Sequence, residues 1–165
     1  MNSLNYSRPR VALFEPRIPQ NTGTIGRSCL AFDLSLDIIE PTGFSFEDKY
    51  LKRAGLDYWP YVDLNVHNNI DLFISILSKD QRIIGFSKSA EININNFNFN
   101  SGDILLFGRE DIGLDNKSRS KCKEIISIPM PGISLPGTNK GVRSLNLSVS
   151  AGIGIYQAGT SLNFW

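Results

Sequence analysis

The chain has 165 residues, 41% hydrophobic and 20% charged, with 17 basic and 16 acidic side chains giving a formal net charge of +1. That size and apolar content suit a single compact domain over residues 1–165, with its core at about 10–158, and argue against a second one. No apolar run approaches the roughly 18 residues of a spanning helix and residues 1–10 lack the apolar middle of a secretory signal, so a cytoplasmic protein without a membrane partner is expected.

Residues 11–14 read as a buried strand, 22–31 as a helix, and 35–39 as a second strand stopped by Pro41 and Gly43. Ser45 with Asp48 three residues on, the apolar Leu51 and Ala54, and Gly55 at the end spell out a capped helix. Residues 69–77 repeat the helical pattern, with Ile70, Phe73, Ile74 and Leu77 on one face. Strands follow at 82–86 and 103–107, a short helix capped by Asp115, and a strand at 124–128. Residues 91–100 alternate apolar and polar side chains, but their asparagines are poor strand formers, so they read as a surface connection. The last apolar run, from Leu145 to Ile155, satisfies both a period of two and helical spacing, and periodicity does not decide between them. Alternation of strands and helices predicts an α/β fold, a mostly parallel sheet flanked by helices.

Three Gly- and Asn-bearing blocks punctuate the ends of strand-like runs. They are Asn21-Thr22-Gly23-Thr24-Ile25-Gly26-Arg27, then Phe107-Gly108-Arg109-Glu110, then Ile128-Pro129-Met130 leading to Ser144-Leu145-Asn146-Leu147-Ser148. Loops at the carboxyl ends of strands are where open α/β sheets hold ligands, so the three predict one composite site and an enzyme. The isolated Cys29 and Cys122 with the single His67 are too few for a structural zinc site or a disulfide framework and are expected to be structural. Basic residues gather at Arg8, Arg10 and Arg17, at Lys49, Lys52 and Arg53, at Arg119, Lys121 and Lys123, and at Lys140 and Arg143. A near-neutral chain binds nucleic acid only if such groups share a surface.

Together with Leu13-Phe14-Glu15-Pro16-Arg17-Ile18-Pro19-Gln20, Ile39-Glu40-Pro41-Thr42-Gly43-Phe44 and Leu51-Lys52-Arg53-Ala54-Gly55-Leu56-Asp57-Tyr58, these blocks resemble the TrmL branch of the SPOUT RNA methyltransferases across residues 10–158. The resemblance implies a C-terminal deep trefoil knot, with residues 146–157 helical. It also implies a homodimer that transfers a methyl group from S-adenosylmethionine to the ribose 2′-hydroxyl of the wobble nucleotide in a tRNA anticodon stem-loop. By motif position it assigns Arg27, Asn21, Glu110, Ser144 and Asn146 to catalysis, and Phe86, Gly108, Ile128 and Ser144 to the cofactor, whose contacts are largely with backbone. A sulfonium methyl is already activated, so the chemistry asks for no metal, only for alignment of the 2′-oxygen and removal of its proton. Arg27, protonated at any physiological pH, suits a phosphate clamp and oxyanion stabiliser better than a base, and the base stays unassigned.

Plainer roles compete with these. Arg27 could serve only the carbonyls at the end of its helix, Asn21 could cap residues 22 onward, Glu110 could be an ordinary loop carboxylate, and Ser144 or Asn146 could cap the last helix. Gly108 could be a simple turn glycine rather than a point of close approach to a ligand. Two departures from the branch stand out: Val149-Ser150 replaces its usual Asn-Ala, and the loop at 131–142 is longer. Small residues Gly152, Gly154 and Ala158 would permit close approach of the last helix, placing it in the knot and dimer contact. Rival readings are action on another tRNA position or on ribosomal RNA, and a non-catalytic RNA-binding relative. A plain Rossmann domain is disfavoured, because no Gly-x-Gly-x-x-Gly follows the first strand.

Overall fold

The computed structural model describes residues 8–46, 57–132 and 144–165. Its frame is a sheet of seven parallel strands: β1 (Arg10–Phe14), β2 (Leu36–Ile39), β3 (Leu64–His67), β4 (Ile83–Phe86), β5 (Ile92–Asn93), β6 (Ile104–Phe107) and β7 (Glu124–Ser127). Their spatial order is β3-β2-β1-β6-β4-β7-β5. Strands β1 to β3 step outward in one direction, the chain then crosses to the far side, and β6 inserts between β1 and β4. Such a reversal leaves a crevice at the carboxyl ends of the central strands. Among the described residues the α-helices are α1 (Pro19–Ala31), α2 (Ile70–Ser75), α3 (Asn116–Ser120) and α4 (Leu147–Ser161).

Because neighbouring strand residues point to opposite faces, the central strands feed two cores at once. Val11, Leu13, Leu36, Ile38, Leu105 and Phe107 pack with Ile25 and Cys29 of α1 and with Ala151, Ile155 and Ala158 of α4. Ala12, Phe14, Ile104 and Leu106 pack on the other side with Ile70 and Phe73 of α2 and with Leu114 before α3. Burial on both faces explains why these strands are continuous apolar runs. The exception is Asp37, fully buried in β2. Arg10 Nε donates to its Oδ2 at 2.9 Å, Arg10 Nη2 reaches its Oδ1 at 2.5 Å, and His67 Nε2 lies 2.7 Å from that same oxygen. A carboxylate removed from water persists only when paired in this way. His67 also packs on Phe73, ring centroids 4.9 Å apart, so it is structural as expected.

Helix α1 starts three residues before the sequence reading, at Pro19, whose fixed φ and missing N–H suit a first helical position. Asn21 therefore lies inside α1 and is not its cap; the N-cap is Ile18. The strand at 64–67 had no counterpart in the sequence reading, since Leu64 and Val66 alternate with polar residues in a short edge strand. The stretch at 91–100 is not merely a surface connection. Ile92 and Asn93 pair in parallel with Ile126 and Ser127, and Ile94 and Phe99 are buried in the α1/α4 core. Asp115 caps α3 as expected, its Oδ1 accepting from Ser118 N at 2.7 Å. The last segment is helical and runs on to Ser161, with Asn146 as N-cap.

On α4, Gly154 meets the sheet so closely that an added Cβ would sit 3.0 Å from the Phe86 and Phe107 rings, whereas Gly152 faces open space. Cys29 is buried and Cys122 partly so; burial pushes their thiols up, to about 12 and about 11. The helix expected after Ser45, the basic residues Lys49, Lys52, Arg53, Lys140 and Arg143, and most of the loop at 131–142 lie outside the described residues. So do residues 133–143 of the connection from β7 to α4, on which the expected knot depends. Among the described residues no helix is long and apolar enough to cross a membrane.

Candidate active site

At the carboxyl ends of β1, β6, β4 and β7 a cavity of about 690 Å³ opens, a size common for small-molecule sites. Seven of the eight residues singled out from the sequence line it: Asn21, Phe86, Gly108, Glu110, Ile128, Ser144 and Asn146. Its floor is aromatic, Phe86 stacking on Phe107 with centroids 4.3 Å apart.

The three blocks are tied together by hydrogen bonds. Glu110 Oε2 accepts from Arg17 N at 2.8 Å, and its Oε1 accepts from Ile18 N at 3.1 Å and from Asn21 Nδ2 at 3.2 Å. The carboxylate thus supplies at the start of α1 the acceptor that the N-cap residue Ile18 lacks, where the helix dipole favours negative charge. Asn21 Oδ1 in turn accepts from Asn146 Nδ2 at 3.0 Å, and Asn146 Oδ1 caps α4 by accepting from Ser148 N at 2.8 Å. Glu110 is accordingly no idle loop carboxylate: both of its oxygens hold the first block. Asn146 combines the cap with the tether, while Ser144 stands on the cavity wall two residues before the cap.

Gly108 is needed for a reason the sequence did not reveal. A Cβ there would lie 2.2 Å from the carbonyl carbon of Gly113 and 2.3 Å from Leu114 N, so the close approach is by its own loop. That loop closes through Arg109 N donating to Gly113 O at 3.1 Å and Gly113 N donating to Arg109 O at 2.8 Å, with Gly113 at φ +71°. Arg109 is held by Asp111, at 2.9 and 2.6 Å, which keeps the Asp111 carboxyl below its usual range.

Arg27 does not line the cavity. At 3.6 residues per turn it sits about 120° around α1 from Asn21 and about 9 Å further along the axis. It is exposed, and its guanidinium lies 5.6 Å from the centroid of the Tyr58 ring rather than on helix carbonyls. Tyr58 Oη donates to Gly23 O at 3.2 Å, and Trp59 fills the space a Cβ on Gly26 would need. The two glycines of the first block thus seat the 58–59 segment under Arg27. Burial pushes the Tyr58 phenol up, with Arg27 pulling in the opposite sense.

Several of the basic side chains among the described residues are engaged by carboxylates. Arg8 pairs with Asp33, Arg10 with buried Asp37, Arg17 with Glu15, and Lys121 with Asp71. Arg119 goes the other way, into the cavity wall, where its Nη1 donates to Ser87 Oγ at 3.1 Å. Ser87 and Arg119 were not among the expected site residues. The available signal was position: Ser87 follows a strand end as the three blocks do.

A parallel sheet carrying one cavity at its switch point, lined by loops from four strand ends, defines a ligand-binding α/β domain of the doubly wound class. The chain belongs to the SpoU rRNA Methylase family, whose model matches residues 8–156. A Synechocystis sp. protein provisionally named a tRNA (cytidine(34)-2'-O)-methyltransferase is 41% identical over 154 residues, covering 93% of this chain and 96% of that one. The tRNA (cytidine(34)-2'-O)-methyltransferase of Methylovorus glucosotrophus is 36% identical over 148 residues, 90% of this chain and 92% of that one. A solved structure described as giving insights into the 2-OH methylation of C/U34 on tRNA superposes with a TM-score of 0.87 at 37% identity, covering 98% of this chain and all of the other. The fold is also that of the SpoU methyltransferase AviRb from Streptomyces viridochromogenes in complex with AdoMet, with a TM-score of 0.83 at 20% identity over 99% of this chain and 64% of that one.

Proposed function

We propose that the chain transfers a methyl group from S-adenosylmethionine to the ribose 2′-hydroxyl of the wobble nucleotide, cytidine or uridine 34, of tRNA, acting in the cytoplasm on the anticodon stem-loop as a homodimer. The observation that carries this reading is the interlocking of the three blocks through Glu110, Asn21 and Asn146 around one cavity. The names of the relatives that match nearly end to end support nucleotide 34 over another tRNA position or ribosomal RNA. The retained Arg27, Glu110, Ser144 and Asn146 speak against a non-catalytic RNA-binding relative.

The cavity fits the cofactor. Phe86, Ile128 and Leu145 offer apolar surface for an adenine, while the loops after β6 and β7 present backbone for its ribose and base edges. When bound, the cofactor supplies a methyl on a positively charged sulfur, so the reaction forms one O–C bond as the S–C bond breaks. The protein must orient the ribose and accept the hydroxyl proton. Glu110 fixes the position of Asn21, and Asn21 and Asn146 fix each other, so the wall facing the substrate is held before binding. Arg27, protonated and exposed, holds a phosphate of the substrate strand and stabilises charge developing on the 2′-oxygen.

Because Arg27 lies outside the cavity of its own chain, dimerisation is the natural way to bring it to a reacting ribose. Helices α1 and α4 pack together, and α4 exposes Val149, Ile153 and Tyr156 at helical spacing beside open Gly152. A second copy would cover that apolar stripe. The same α4 is the segment that would thread the trefoil. Mass spectrometry of tRNA from a deletion strain tests the assignment. Loss of a 2′-O-methylated nucleotide 34 is expected; an intact position 34 with loss at another RNA site would overturn it.

A further inference from the structure

We infer that Arg119 is the cofactor's carboxylate clamp: its guanidinium, aimed into the cavity by Ser87, binds the carboxylate of the methionyl tail. The inference rests on the methyl-transfer reading above. Among the described residues three cations stand on the cavity wall: Lys88, Arg109 and Arg119. Arg109 is already neutralised, by Asp111 at 2.6 Å and Glu15 at 3.6 Å. Lys88 is exposed, so water already solvates its charge. Arg119 is partly buried, and among the described residues no carboxylate lies within ion-pair distance of it; its Nη1 donates instead to the neutral Ser87 hydroxyl at 3.1 Å.

That hydroxyl is itself fixed. Ser87 Oγ lies 3.0 Å from Ser89 Oγ, and Ser87 N donates to Ile126 O at 3.0 Å, which anchors the residue between the ends of β4 and β7. A guanidinium held by one nitrogen keeps its remaining donors for a planar oxyanion, and a carboxylate is the partner its fork fits in two-pronged fashion. Two oxyanions could reach this wall, the carboxylate of the cofactor and a phosphate of the RNA. The cofactor's is favoured because Ser87 directly follows Phe86 on the cavity floor, at the end of β4, which β6 separates from β1 and the Asn21 that follows it.

The test is isothermal titration calorimetry with two ligands on the full-length wild type, Arg119→Ala and Arg119→Lys. S-adenosylhomocysteine carries the carboxylate; 5′-methylthioadenosine lacks the whole amino-acid tail. Arg119→Ala should weaken S-adenosylhomocysteine at least about tenfold, the loss of one charge-assisted pair, and change 5′-methylthioadenosine less than twofold. Unchanged binding of the tail-less ligand also shows that the cavity has folded. Arg119→Lys should recover part of the loss, keeping charge without the fork. Equal weakening of both ligands, or of neither, overturns the clamp. So does a variant that binds both normally but loses affinity for tRNA, since the oxyanion would then be a phosphate. A wild-type protein that binds neither nucleoside would instead sink the methyl-transfer reading itself.

Discussion

Replacing Glu110 by alanine removes one carboxylate that holds two backbone N–H groups before α1 and the amide of Asn21. Bonds to a charged acceptor contribute about 1.5–3 kcal/mol each, but water can reclaim the exposed Ile18 N–H, so the net loss should be about 2–3 kcal/mol. In a chain of this length that corresponds to a fall in Tm of about 4–12 °C. The first block would also lose its hold on the second, so affinity for S-adenosylhomocysteine should fall together with stability. Glu110→Gln should recover only part of both, because its amide group would face donors with a donor. Thermal denaturation and calorimetry on the same preparations read the two effects. If Glu110→Ala keeps its Tm and cofactor affinity while methylation collapses, Glu110 acts on the reaction itself and the tether account is refuted.

Arg27→Ala should lower the methylation rate at least about a hundredfold, twice the 1.4 kcal/mol of a tenfold step, and leave cofactor affinity within twofold; equal loss of both would refute its role toward RNA. Gly108→Ala would drive a Cβ into Gly113 and Leu114, so cofactor affinity and Tm should fall together in calorimetry and thermal melts. Asp37→Ala leaves Arg10 and His67 facing an empty buried site and should cost about 3–5 kcal/mol in urea unfolding without altering cofactor affinity at temperatures where the variant is folded. With Cys122 pushed up to about 11 and Cys29 to about 12, iodoacetamide at pH 8 should label the native protein far more slowly than the urea-unfolded one. Since burial favours the neutral thiols, the stability linked to them is present below about pH 9 and is lost as pH rises toward 11–12.

Most of the central sheet was legible because a strand buried on both faces must be apolar throughout, as in Val11 to Phe14 and Ile104 to Phe107. Short edge strands lack that signature, and so 64–67 and 92–93 escaped: their pairing is set by the neighbours β2 and β7, not by their own residues. The run from Leu145 to Ile155, which forms most of α4, was ambiguous because small residues alternating with Ile and Val satisfy two periods. The sheet decides, by accepting Gly154 against two phenylalanine rings. The loops of the site were readable as blocks, while the bonds that lock them, between residues 89 to 125 positions apart, were not. Nor did spacing reveal that Arg27 turns away from Asn21, until the true start of α1 fixed their angle.

The bond from Asn146 to Asn21 ties the opening helix of the chain to its closing one. During synthesis the first block emerges long before its partner, so a ribosome-bound fragment carries half a binding wall with nothing to close it. Assembly of that wall is thereby deferred until the helix carrying Asn146 has been made.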